Sequence, residues 1–116
     1  MILPIKDREV LAKVERIIMK EFATEREYDL EVHECFTLWE LIDELYHFSN
    51  ILVVYRNLLF IADEYPKTRY AVYDLETEEK LEEFRVSDDP EKENEIYRSD
   101  LDKKIEEIIK KYAESD

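Results

Sequence analysis

Glycine is absent from this 116-residue chain, and that absence excludes whole families of chemistry. Glycine lets a backbone approach a phosphate closely or take positive φ without steric cost. Without it there is no P-loop, dinucleotide fingerprint, kinase glycine-rich loop, EF-hand or G-x-S-x-G nucleophile elbow. Cysteine occurs once, as Cys35, so no intramolecular disulfide can form and the expected setting is the reducing cytoplasm. Long apolar runs are missing too. The longest, residues 51–62, is broken by Arg56 and Asn57 and falls short of the ~20 residues that span a bilayer. Residues 1–5 offer no basic segment followed by an apolar core, so no secretory signal is expected. A soluble protein with no membrane partner follows as the expectation.

Basic residues are also scarce. Seventeen Lys and Arg face 31 Asp and Glu, for a net charge of −14. Proteins that hold nucleic acid directly do so by neutralising phosphates, and this chain would repel them. High charge alone suggests disorder, but 45% of the residues are hydrophobic and 12% aromatic, and the apolar positions are periodic, so a folded chain is expected. The length suits one domain. Glutamine is absent and Glu, Lys, Arg and Ile are abundant, a bias that points to a thermophilic source.

The periodicity predicts an α+β domain. Val10, Leu11, Val14, Ile17, Ile18 and Phe22 recur three and four apart behind Asp7, which reads as a capped helix over 7–22. Tyr28, Leu30 and Val32 alternate with polar residues as a half-buried strand. Thr37 with Glu40 forms a capping box, and Phe36 with Leu41 a hydrophobic staple, for a helix over 38–48. Residues 51–55 and 58–62 read as a tight hairpin about Arg56 and Asn57, apolar on both faces and therefore central. A second hairpin joins 69–75 to 80–86 about residues 76–79. Residues 87–98 show no period and read as a charged linker before a last helix with Leu101, Ile105, Ile108, Ile109 and Tyr112 inward. The expected order is α-β-α-β-β-β-β-α, with three helices covering an antiparallel sheet of about five strands. With no glycine available, Asn50, Asn57 and Glu78 are expected to take the left-handed backbone angles.

The charge is concentrated in two blocks. Residues 23–50 and 76–100 each carry −7, while the remaining segments lie between −1 and +1. The candidate acidic docking surface comprises Glu31, Glu34, Glu40, Asp43, Glu44, Glu76, Glu78, Glu79, Glu82 and Glu83. Tyr55, Phe60, Tyr70 and Tyr73 lie on neighbouring strands and form a candidate aromatic interface, since rings with a polar tip suit contact surfaces.

Candidate chemistry is thin. Asp29, Glu31, His33 and Cys35 alternate on one strand face, but successive ligands there stand ~7 Å apart and do not converge as zinc requires. Glu44 and His47 make one E-x-x-H, which di-iron bundles need in pairs. Asp63 with Glu78 and Lys80 imitates a nuclease motif, yet this composition yields about three acid-x-Lys spacings by chance. No catalytic residue, metal ligand or cofactor is therefore assigned. The expected function is that of a small noncatalytic, cytoplasmic protein that binds another protein, a basic one, and forms a homodimer through its aromatic sheet face. The alternative is a nucleic-acid mimic, of viral or mobile-element origin, that inhibits a DNA- or RNA-binding protein. A small enzyme of unidentified chemistry is the third reading.

Overall fold

Asp7 starts the first helix as its sequence position suggests. In the computed structural model, which describes residues 3–4, 7–21, 31–47, 51–64, 68–89 and 95–113, its Oδ1 accepts from the Glu9 and Val10 amides at 2.9 and 3.4 Å. Two of the orphan N–H groups of α1 (Arg8–Glu21) are thereby satisfied. Thr37 caps α2 (Leu38–His47) in the same way. Its hydroxyl oxygen accepts from the Glu40 amide at 3.1 Å and its O–H donates to the Glu40 carboxylate at 3.0 Å. The staple is not formed as expected: Leu41 is buried but Phe36 stays 65% exposed.

The strands are β1 (Leu3–Pro4), β2 (Glu31–Cys35), β3 (Ile51–Tyr55), β4 (Leu58–Glu64), β5 (Thr68–Asp74), β6 (Lys80–Ser87) and β7 (Glu95–Tyr97). A 3-10 turn, Arg98–Asp100, leads into α3 (Leu101–Tyr112). The strands lie side by side in sequence order. The fold is α+β with three helices, as expected, but the sheet is mixed: β2 with β3 and β6 with β7 pair in parallel. The helix between β2 and β3 carries the chain back along the sheet, so β3 starts where β2 started. Side-chain period does not encode that direction.

The assignment of 87–98 to a linker is corrected at both ends. Ser87 belongs to β6, and Glu95–Tyr97 pairs with Arg85–Ser87. A parallel crossover ordinarily takes a dozen or more residues. Here the chain must step back only two positions, roughly 7 Å, to bring Glu95 level with Arg85. A three-residue strand has no visible period, so β7 was illegible in sequence, as was the two-residue β1.

Helices cover both faces of the sheet. On one side α1 packs Val14 and Ile17 over Leu52, Leu59 and Ile61. On the other, α2 and α3 pack Leu45, Ile105 and Ile108 over Val53, Phe60 and Val72. The central hairpin is apolar on both faces for this reason. Tyr70 O–H donates to the Leu45 carbonyl at 3.0 Å, and Asn57 Nδ2 donates to the Tyr112 carbonyl at 3.2 Å. Each bond satisfies a carbonyl in the last turn of a helix.

Positive φ falls on Arg56 (55°) and Glu78 (61°) among the described residues. Glu78 was expected, whereas Asn57 yields to its neighbour, and Asn50 lies outside the described residues. A two-residue hairpin loop with positive φ at its first central position alone is the type II′ pattern. Asn57 is thereby freed to accept the Leu75 amide at its carbonyl and to reach α3. Arg56 lies 5.1 Å from the Tyr55 ring centroid, a cation–π contact. At Glu78 the strained backbone is held by Arg16, whose Nε and Nη2 donate to the carboxylate at 2.9 and 3.1 Å. Glu78→Gly should lower the melting temperature in dilute buffer through loss of that pair. In about 1 M salt, where the Debye length is ~3 Å, the variant should melt at or above the wild type, because only the backbone relief remains.

Candidate functional site

Many of the sequence-designated acids are already engaged by groups of the same chain. Glu78 binds Arg16, Glu83 binds Lys80 and Arg69 at 2.8 and 2.9 Å, and Glu82 lies 3.8 Å from Lys104. The second acidic block is thus met by bases from α1, β5, β6 and α3. Glu76 and Glu79 remain exposed at the β5–β6 turn. In the first block, Glu44 points inward and pairs with His33 Nδ1 at 2.7 Å. Glu40 is engaged with Thr37, Asp43 lies 3.3 Å from His47, and Glu34 is half-buried. The side chain of Glu31 is outside the described residues. Glu44 and His47 of the E-x-x-H do not face one another, since Glu44 pairs across to β2 and His47 with its own i−4 neighbour. Among the described residues no group of His, Cys, Asp and Glu could hold a metal ion.

The aromatic interface is also corrected. Tyr55, Phe60, Tyr70 and Tyr73 are all buried inside the chain. Tyr70 stacks on Phe84 with centroids 5.3 Å apart. Their burial follows from the two-sided helical cover, which alternating strand residues alone do not reveal.

Tyr73 belongs to a charged cluster that clamps α1 to the sheet. The Glu21 carboxylate, 3% exposed, accepts from the Tyr73 hydroxyl and Arg69 Nη1 and meets Lys80 Nζ at 2.9 Å. Arg69 also reaches Asp63 at 3.5 Å. A register shift in the β5–β6 pairing after Val72 sets Lys80 opposite Tyr73, 5.9 Å from its ring centroid. Burial opposes ionisation of Glu21, but the bonds from Tyr73, Arg69 and Lys80 outweigh it and hold the carboxyl below its ordinary value. Burial, then the Glu21 bond, pushes the Tyr73 phenol up to about 12. The Lys80 bond holds Glu83 low as well. Arg85, the register partner of Arg69, has Nη1 buried with no hydrogen-bond partner among the described residues. These interactions lock the fold. They also occupy the supposed nuclease residues: Asp63 and Lys80 both sit in the Arg69 cluster, bridged by Arg69 and Glu83, while Glu78 pairs with Arg16 instead.

Cys35 offers no nucleophile. It is buried, and burial followed by the negative field of Glu44, Glu40 and Glu34 pushes its thiol up to about 12. The thiolate required for attack is suppressed at neutral pH.

What the sequence reading missed is the outer stripe of α2. Trp39 is 74% exposed and Tyr46 43% exposed. With Ile42, Asp43 and His47 they line a cavity of about 220 Å³. Those five positions follow the i, i+3, i+4, i+7, i+8 pattern that keeps residues on one helical stripe. Tyr46 O–H donates to the Arg98 carbonyl at 3.0 Å, and Tyr97, next to it, is 53% exposed. Helical spacing could have found this second face. Trp39 and Tyr46 flank the inward stripe of Leu38, Leu41, Ile42 and Leu45, with Ile42 shared between the core and the outer stripe. A further cavity of about 340 Å³ lies between β7 and α3, lined by Glu95, Tyr97, Asp100, Lys103, Lys104 and Glu107 among others. Its mixed charges define no chemistry. Among the described residues no helix is long and apolar enough to cross a membrane. In comparisons with protein-family models, curated proteins and solved structures, nothing matches this chain.

Proposed function

We propose that this chain is a noncatalytic protein-binding domain that engages a basic partner through the outer face of α2. The observation that carries the reading is the exposure of Trp39 beside Tyr46 on a helix whose charged residues are all acidic or histidine. Large exposed aromatics on one stripe mark interaction surfaces, and Trp and Tyr are the commonest energetic anchors of interfaces. The net charge of −14 would steer a basic partner toward it. Buried Cys35 and the absence of disulfides suit a cytoplasmic setting. The ion-pair network around Arg69 suits a thermophilic source.

A homodimer through the aromatic sheet face has less support, because α1 packs on one face of the sheet and α2 with α3 on the other. The nucleic-acid mimic has less support, because Glu44, Glu78, Glu82 and Glu83 are engaged by bases of the same chain. The deciding experiment is capture of partners on the immobilised chain, with Trp39→Ala and Glu76→Gln variants alongside. Retention of a basic protein should weaken with salt, disappear with Trp39→Ala and survive Glu76→Gln. Retention indifferent to Trp39 would overturn the reading. Release of bound nucleic acid from the captured protein would favour the mimic, and light scattering at the mass of two chains would favour the dimer.

A further inference from the structure

We infer that the cavity between Trp39 and Tyr46 is a subsite for one arginine side chain of the basic partner, an inference that rests on the reading of α2 as the binding face. It is open to solvent on one side, and its volume of about 220 Å³, about seven waters at ~30 Å³ each, is enough to seat one long side chain. Two walls are aromatic rings, whose faces attract cations, Trp most strongly. The third polar wall is the Asp43 carboxylate, and Ile42 supplies apolar surface for a methylene stem.

The electrostatics select a cation. From residue 27 to residue 55 the chain contains no lysine or arginine and seven acidic residues, and Arg98, whose carbonyl accepts the Tyr46 O–H, directs its guanidinium to Asp88 at 3.4 Å. Tyr46 and His47 stand in the last turn of α2, where the helix dipole is negative and favours positive charge. His47, 3.3 Å from Asp43, is the basic group in the lining and is largely exposed, so it can swing aside. Arginine fits better than lysine. A planar guanidinium stacks on an aromatic face, pairs with a carboxylate through two parallel N–H groups and is less strongly hydrated than an ammonium. A second copy of the chain is a poor occupant, because each copy carries −14 and the acidic faces repel.

Trp39 is the single tryptophan of the chain, so its fluorescence reports on this cavity and nowhere else. Titration with a blocked tetra-arginine peptide should give a saturable change, and tetra-lysine of equal charge should bind about tenfold more weakly. Asp43→Asn should weaken tetra-arginine binding about fivefold or more, whereas Glu79→Gln, the same charge change at the far β5–β6 turn, should leave it within about twofold. Equal binding of the two peptides, or equal weakening by the two variants, would overturn the subsite in favour of unselective charge attraction. Calorimetric binding with silent fluorescence would overturn it in favour of another location. Partner capture that depends on Trp39 while tetra-arginine leaves Trp39 unchanged would overturn the arginine subsite alone and leave the α2 reading standing.

Discussion

Replacing Glu21 by glutamine is expected to destabilise the domain by about 3 kcal/mol, the scale seen when one partner of a buried ion pair is removed. The Glu21 side chain is 3% exposed and answers three donors, Tyr73, Arg69 and Lys80. A glutamine cannot neutralise the two cations, and Arg69, the register partner of Arg85, would lose the most buried of its carboxylate partners. For a domain of this size the loss corresponds to a fall on the order of 10 °C in melting temperature. Thermal or urea unfolding measures it directly, and a change under about 1 kcal/mol would mean that the cluster is spectator charge.

The pH dependence carries its own signature. The folded Glu21 carboxyl lies below its ordinary value of 4.5, so its contribution is complete above that value and is lost as pH falls through the folded one. The stability gap between wild type and Glu21→Gln should therefore be constant near neutrality and close in acid. On the alkaline side Tyr73 behaves oppositely. Its phenol is raised from 10 to about 12, so the fold favours the neutral form and that contribution fades only as pH rises past 10.

The second large effect separates core from surface. Phe60→Ala should cost about 4 kcal/mol, because a fully buried ring leaves a cavity as well as losing its transfer energy. Phe60 sits between Val53 and Val72 in strand register, under α2 and α3. Trp39→Ala should change stability by no more than about 0.5 kcal/mol yet abolish partner capture, since the ring is 74% exposed. Denaturant unfolding of both variants, read beside the capture assay, checks the pair. If Phe60→Ala unfolds like wild type, or Trp39→Ala unfolds several kcal/mol earlier, the division between packing aromatics and binding aromatics fails.

That division was only half legible in the residues. Tyr55, Phe60, Tyr70 and Tyr73 attract notice in sequence because they cluster on strands, and Trp39 does not because it sits alone in a helix. Burial reverses their standing. Strand periodicity shows which residues share a face but is silent on whether a helix covers that face. Here α1 covers one side, and α2 with α3 covers the other. The two acidic blocks look equivalent as charge counts, yet the second is met by Arg16, Arg69, Lys80 and Lys104. The first has only His33 and His47 for its described ion pairs, and that difference leaves α2 as the acidic face.

By itself the sequence determined what short-range physics controls. Asp7 and Thr37 cap the helices they precede, the apolar run over 51–62 doubles back at Arg56 and Asn57, and Glu78 takes the angle that glycine would have taken. With no glycine the chain offers no glycine-rich phosphate loop. Tertiary structure alone decided the parallel pairing of β2 with β3, the pairing of β7, the partnership of Glu44 with His33, and the choice of aromatics left in water. Each of these depends on contacts between residues distant in the chain, whose free energy is set by packing and by exclusion of water and leaves no periodic trace in either partner.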